Sequence, residues 1–319
     1  MTILLITPGS SVRHSGNRCT ASQWADLLKK QGHEVIVCYD IPASFPVAHA
    51  DLLIAMHGAK CHDVIARYRS TEPQGKVLLA LTGTDIYPEP SEVTHESMKW
   101  ADGIIVLQEK ALEKVPEDFH AKTTVVIQSV QQTLERPARK SDSFEVCVVG
   151  HFREVKNPLL TAMASRLLPP ESRLQVRQAG GILEAKFGDL VAQEQQENPR
   201  YRWLGELSSE SVFELLVSSD LMVLTSHSEG GARVIGEAIV HGTPVLSTRI
   251  DGVLGLLGDS YPGFFPDNDA TALAALLWKC ESDLSFYASL QDAARTCAAR
   301  FDPKAEALAL SEALAKLHP

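Results

Sequence analysis

The sequence predicts an α/β protein: two doubly wound parallel-sheet domains in tandem, facing a central cleft. Three observations predict it. The strand-like segments are continuous apolar runs rather than alternating ones, as in sheets covered on both faces. Segments of helical period separate them. The same grammar runs twice, on either side of RPARKSDS (Arg136–Ser143), a polar, proline-containing stretch without periodicity. At about 150 residues per domain, 319 residues suit two cores. The expected domains are 1–137 and 142–302, and the last helix, 304–319, is a candidate for packing back onto the first.

TILLIT opens as a strand and runs into a Pro-Gly-Ser-Ser loop. Asn17 to Gln31 follows as a helix, with Ala21, Trp24, Leu27 and Leu28 at helical spacing and Gly32 as its cap. EVIVCY, DLLIAMH, KVLLAL, GIIVLQ and TTVVIQ are the further strands of the first half, with a helix over about His62 to Ser70. In the second half FEVCVVG, RLQVRQAGG, YRWLG, DLMVLT and TPVLST alternate with helices. A final helix from about Lys304 to Lys316 follows Asp302-Pro303. Ligands of such sheets bind beyond the carboxyl ends of the strands, so the loops after each strand carry the functional information.

Composition excludes several classes. No apolar stretch approaches a membrane span, and MTILLITPGS lacks the basic start of a signal peptide. The net charge is −10 with no Lys/Arg block, against nucleic-acid binding. Six cysteines form no CxxC pair, and reduced thiols in a cytoplasmic protein are expected. Eleven histidines show no metal spacing, so no metal and no cofactor is expected. No P-loop and no post-strand GxGxxG is present. No obligate protein partner is predicted.

The most informative segment is TSHSEGGARVIGEAIVHGTPVLS. A strand ends in a polar loop, and Gly230 and Gly231 are expected to open a helix running to about His241. Free amides at a helix start favour an anion. Glu229 and Glu237 would lie about 12 Å apart along that helix at about 1.5 Å per residue. The spacing suits a nucleotide diphosphate sugar: phosphates on the amides of Gly230, Gly231 and Ala232, a ribose diol at Glu237, hexose hydroxyls near Glu229. The plain alternative is one exposed and one solvated glutamate. In CVVGHFREVKNP, Arg153 and Lys156 are two cations three residues apart, able to clamp a diphosphate from the other side.

This set resembles the donor site of retaining GT-B glycosyltransferases of the Glu-seven-residues-Glu kind. WLGEL, with Gly205, Glu206 and Leu207, resembles that family's backbone cradle for uracil. TPGSSVRHSGNRCTASQWADLLKKQGHEV, LLIAMHGAK, LLALTGTDIY, VLQEKALEKVP and GLLGDSYPGFFP extend the likeness over nearly the whole chain. Together they resemble the selenosugar synthases of selenoneine biosynthesis. The resemblance implies a UDP-sugar donor, UDP-N-acetylglucosamine first, with selenophosphate as acceptor and a carbon–selenium bond at the anomeric carbon as product.

The first loop fits a small anionic acceptor. Ser10, Ser11, Arg13, His14, Ser15, Gly16, Asn17 and Arg18 place hydroxyls, guanidinium groups and amides around a helix start. Such a pocket fits selenophosphate, and equally phosphate or a phosphorylated sugar. Thr82 and Gly83 are assigned to the same acceptor. Asp85 either orients acceptor or sugar or closes an Asx turn before Tyr87-Pro88. His57, at the end of a strand beside Gly58 and Lys60, is either catalytic or structural. The expected catalytic set is Arg153, Lys156, Glu229, Asp85 and His57. Selenophosphate is already deprotonated, so positioning and leaving-group stabilisation suffice. The alternatives are a conventional retaining UDP-sugar glycosyltransferase with a sugar, phosphorylated or lipid acceptor, a nucleotide-sugar isomerase, and a non-catalytic nucleotide-sugar binding module.

Overall fold

A computed structural model describes residues 1–8, 16–39, 49–135 and 142–317. The chain divides into two compact units, Met1–Gln128 with Pro303–Pro319, and Ser129–Asp302. The division lies upstream of the expected 137/142. The cause is local: the Val130 amide donates to the Phe301 carbonyl, and Thr133 meets His241, so this segment is tied to the second unit.

The first unit is a six-stranded, wholly parallel sheet. Its strands are β1 (Thr2–Thr7), β2 (Glu34–Tyr39), β3 (Leu52–Met56), β4 (Lys76–Leu81), β5 (Gly103–Val106) and β6 (Thr123–Val125), in the order β2-β1-β3-β4-β5-β6. GIIVLQ and TTVVIQ contribute shorter strands than their apolar runs suggest. Helices α1 (Gly16–Lys30), α2 (His62–Thr71) and α3 (Glu92–Trp100) belong to this unit. Side chains alternate between the faces. Leu4 and Ile6 join Val64, Ile65 and Tyr68 of α2 and Met98 of α3, whereas Ile3 and Leu5 join Trp24 and Leu28 of α1.

The second unit repeats the plan with β7 (Phe144–Val149), β8 (Leu174–Ala179), β9 (Tyr201–Trp203), β10 (Leu221–Leu224), β11 (Val245–Thr248) and β12 (Phe264–Phe265). Their order is β12-β11-β10-β7-β8-β9, again all parallel. Its helices are α4 (Leu160–Arg166), α5 (Phe187–Glu197), α6 (Ser209–Ser218), α7 (Arg233–Val240), α8 (Asp251–Leu257), α9 (Ala270–Ser282) and α10 (Leu284–Cys297).

The chain then returns to the first unit as α11 (Pro303–Ala315). Leu310, Ala313 and Leu314 of α11 pack into the α1 face of the first sheet. The carboxylate of Glu306, 2% exposed, accepts from Trp24 Nε1 at 2.9 Å and from Gln23 Nε2. Among the described residues no helix is long and apolar enough to cross a membrane.

Candidate functional site

In the second sheet the chain leaves β7 toward β8 and β9, then comes back to place β10 on the other side of β7. The loops after β7 and β10 therefore flank the reversal point, where ligands of open α/β sheets bind. These are the loops carrying Arg153 and Lys156, and Glu229 to Ala232. They are stitched together: the His227 amide donates to the Val155 carbonyl and Thr225 Oγ1 to the Lys156 carbonyl, both at 2.9 Å. Lys156 Nζ lies 2.6 Å from Glu229 Oε1, and Ser226 Oγ donates to the same oxygen at 2.6 Å. Arg153 is exposed, its guanidinium unpaired among the described residues.

The helix expected to open at Gly230 begins instead at Arg233. Ala232, just before it, has φ 29° and ψ 52°, near the left-handed region, so the glycine pair belongs to the loop. The 12 Å separation of Glu229 and Glu237 along one helix does not hold, because Glu229 is not helical. The anion-binding feature survives in another form. Gly230, Gly231 and Ala232 are buried, and among the described residues their amides donate to no other group. Buried amides almost always have partners, so three successive orphans mark a backbone nest ready for an anion.

Glu237 is on α7 and does not meet Glu229; it pairs with Arg233, whose Nε donates to its Oε1 at 2.9 Å. Sequence reasoning missed Arg233, Ser226 and a His227–Asp267 pair at 2.7 Å. The four-residue spacing of Arg233 and Glu237 was the available signal for the first. Gly205, Glu206 and Leu207 follow β9, at the sheet edge rather than the reversal point. Gly205 adopts φ +77°, and its carbonyl accepts from the Gly180 amide at 2.8 Å. The Glu206 carboxylate lies against Gly181, whose amide donates to His151 Nδ1.

In the first unit Ser10, Ser11, Arg13, His14 and Ser15 lie outside the described residues. Gly16, Asn17 and Arg18 begin α1, which has no acid in its first turn. Asn17 Nδ2 donates to Thr82 Oγ1 at 3.0 Å, and the Arg18 guanidinium lies 5.0 Å from the centre of the Tyr39 ring. Asp85 is buried, and its carboxylate accepts three amide hydrogen bonds. Oδ1 accepts from the Thr82 and Gly83 amides at 2.9 and 2.8 Å, Oδ2 from the Gly58 amide at 2.8 Å. The Asx turn expected before Tyr87-Pro88 does not form, because the Tyr87 amide donates to the Gly83 carbonyl; Asp85 instead fastens the loops after β3 and β4 through three amides that precede it in the chain.

His57 is buried with φ 113°, a strained value for a non-glycine residue. Its Nδ1 accepts from the Lys60 amide, which puts the proton on Nε2, 3.0 Å from Thr84 Oγ1. Desolvation lowers its pKa below 6.5, partly countered by the Asp85 charge, so the ring is neutral at pH 7. Among the described residues no cluster of three His, Cys, Asp or Glu could hold a metal ion.

Residues 130–296 match the model of the family described as "Glycosyl transferases group 1". The chain is 25% identical over 289 residues to TuaC of Bacillus subtilis (strain 168), named as a candidate teichuronic acid biosynthesis glycosyltransferase. That match covers 81% of this chain and 69% of TuaC. Among solved structures, the sucrose-phosphate synthase of Thermosynechococcus elongatus is similar at TM-score 0.79 and 18% identity, over 99% of this chain and 98% of that one. HepE of Anabaena, solved with UDP and glucose, is similar at TM-score 0.76 and 19% identity, over 99% of both chains.

Proposed function

The chain belongs to the group 1 glycosyl transferases, and on that premise we propose that it takes a UDP-sugar as donor and selenophosphate as acceptor. One observation carries the donor reading: at the reversal point of the second sheet, Lys156 on one loop pairs with Glu229 on the other, directly before the three amides of Gly230 to Ala232, unpartnered among the described residues. Glucose-bearing UDP is a ligand of the similar HepE structure, which agrees with that reading. The acceptor reading rests on the first-half segments that resemble selenosugar synthases, with N-acetylglucosamine as the first sugar to test.

The reaction balances without a general base. The anomeric C–O bond breaks, and UDP leaves with its electron pair. A selenium lone pair of selenophosphate closes the C–Se bond. Water then cleaves Se–P, giving inorganic phosphate and the free selenol. The developing charge on UDP is met by the amides of Gly230 to Ala232, by Arg153 and by Lys156, preset donors of the kind that supply most leaving-group stabilisation. Glu229, held by Lys156 and Ser226, presents its remaining oxygen to the hexose hydroxyls.

Mass spectrometry of pure protein with UDP-N-acetylglucosamine and selenophosphate, under reducing anaerobic conditions, tests this. A product carrying sugar and selenium is expected. The likeness to TuaC favours a second reading, a conventional transfer to a carbohydrate or phosphorylated acceptor. Indifference to selenophosphate, with turnover on such acceptors, would replace the first reading by the second.

A further inference from the structure

Arg233 has no role in the reading above, yet its surroundings are those of a ligand-facing cation. It is the first residue of α7, directly after the amides of Gly230 to Ala232. Its Nε donates to Glu237 Oε1 at 2.9 Å, and the two side chains are 17% and 15% exposed. Its Nη1 is sealed from solvent with no partner. Its Nη2 makes no hydrogen bond among the described residues and is not sealed. The guanidinium is thus pinned through Nε alone, with Nη1 unsatisfied and Nη2 open. A sealed donor left unsatisfied is costly, which argues that the placement of Arg233 serves something beyond packing.

The charges around it say what. Lys156 shares its charge between Glu229 and the donor. Glu237 is a second carboxylate, one helical turn beyond the nest, and a bare carboxylate there would repel a diphosphate. We propose that Arg233 is a third cation of the donor site: it neutralises Glu237 and offers Nη2 to a diphosphate oxygen. This rests on the UDP-sugar reading. An arginine fork can serve carboxylate and phosphate together, which a single ammonium does less well.

Calorimetric titration of UDP and of uridine into the wild type, Arg233→Gln and Arg233→Lys tests the proposal. Arg233→Gln should weaken UDP about tenfold, about 1.4 kcal/mol, while uridine changes less than about twofold. Arg233→Lys should fall between. Equal losses on UDP and uridine would reduce Arg233 to a support for Glu237, and unchanged UDP affinity would remove it from the site; either overturns the proposal. If Arg233→Gln does not fold, the UDP-to-uridine ratio of Arg233→Lys decides instead. A wild type that binds uridine and UDP equally poorly overturns the donor reading itself, a distinct result.

Discussion

Gly252→Ala is a one-carbon test of the donor loop. Gly252 lies in the first turn of α8, and its Cα faces the main chain of Glu229. An added Cβ would sit 1.9 Å from the Glu229 carbonyl oxygen and 2.7 Å from its carbon. Contacts under 3.0 Å are essentially never made by real Cβ atoms, so backbone must move by about 1 Å. The Gly252 backbone itself is not in the left-handed region, so the crowding alone is at issue. Moving Glu229 by that much stretches its two 2.6 Å contacts, to Lys156 and Ser226, beyond hydrogen-bonding range. Overpacking of this kind costs about 1–3 kcal/mol of stability. A misplacement of about 1 Å at a reacting centre costs about 100-fold in turnover. Sugar transfer from the UDP donor, followed alongside thermal unfolding, measures both. Gly188→Ala in α5 is the matched control: its Cβ meets nothing within 4 Å, so the same change should leave turnover unaltered and melting unchanged or slightly raised. If Gly252→Ala were destabilised yet turned over like the wild type, the assignment of Glu229 and its loop to the donor would be refuted.

Other expectations follow from the same geometry. Lys156→Ala removes the cation facing Glu229, and UDP affinity should fall about tenfold, the low end for a charge-assisted bond because Lys156 is 30% exposed; calorimetry reads this directly. Glu306→Leu strands the buried Trp24 indole N–H and should cost about 1–3 kcal/mol in urea denaturation. His57 has its folded pKa lowered by desolvation, so the unfolded chain takes the proton first. Its stabilising contribution is therefore complete above about pH 6.5 and is lost as pH falls below it. His57→Asn, which tolerates positive φ, should flatten the pH dependence of the urea midpoint between about pH 5 and 7; an unchanged slope would count against this account.

The parallel fold was legible because its strands are unbroken apolar runs and its helices keep their period. Lys156 and Glu229, which meet at 2.6 Å, were both visible as charged residues in post-strand loops. The start of α7 was not, because Gly-Gly reads as easily as a helix opening as a loop; the positive φ of Ala232 decides it. The division at Gln128/Ser129 depends on long-range bonds, Val130 to Phe301 and Thr133 to His241, that no local pattern encodes. Asp85 carries equal weight as ligand or turn in the sequence, and its three amide donors, Gly58, Thr82 and Gly83, form a clamp between two loops that local pattern does not encode. Arg233 is not legible in the sequence, because the glutamate four residues on reads as a ligand for a ribose diol rather than as the counter-ion of Arg233.

The return of α11 gives the two units different histories during synthesis. Everything in the second unit is an uninterrupted stretch, whereas the first waits for residues past Asp302 before its sheet is covered. On a chain emerging from the ribosome, the later-encoded unit has all its parts first. A chain stopped at Asp302 would keep Trp24 and the α1 face of the first sheet without Glu306, Leu310 and Leu314. Limited proteolysis of that shortened chain should cut ahead of residue 128 and spare 129–302; the opposite pattern would show that the closing helix is dispensable to the unit it joins.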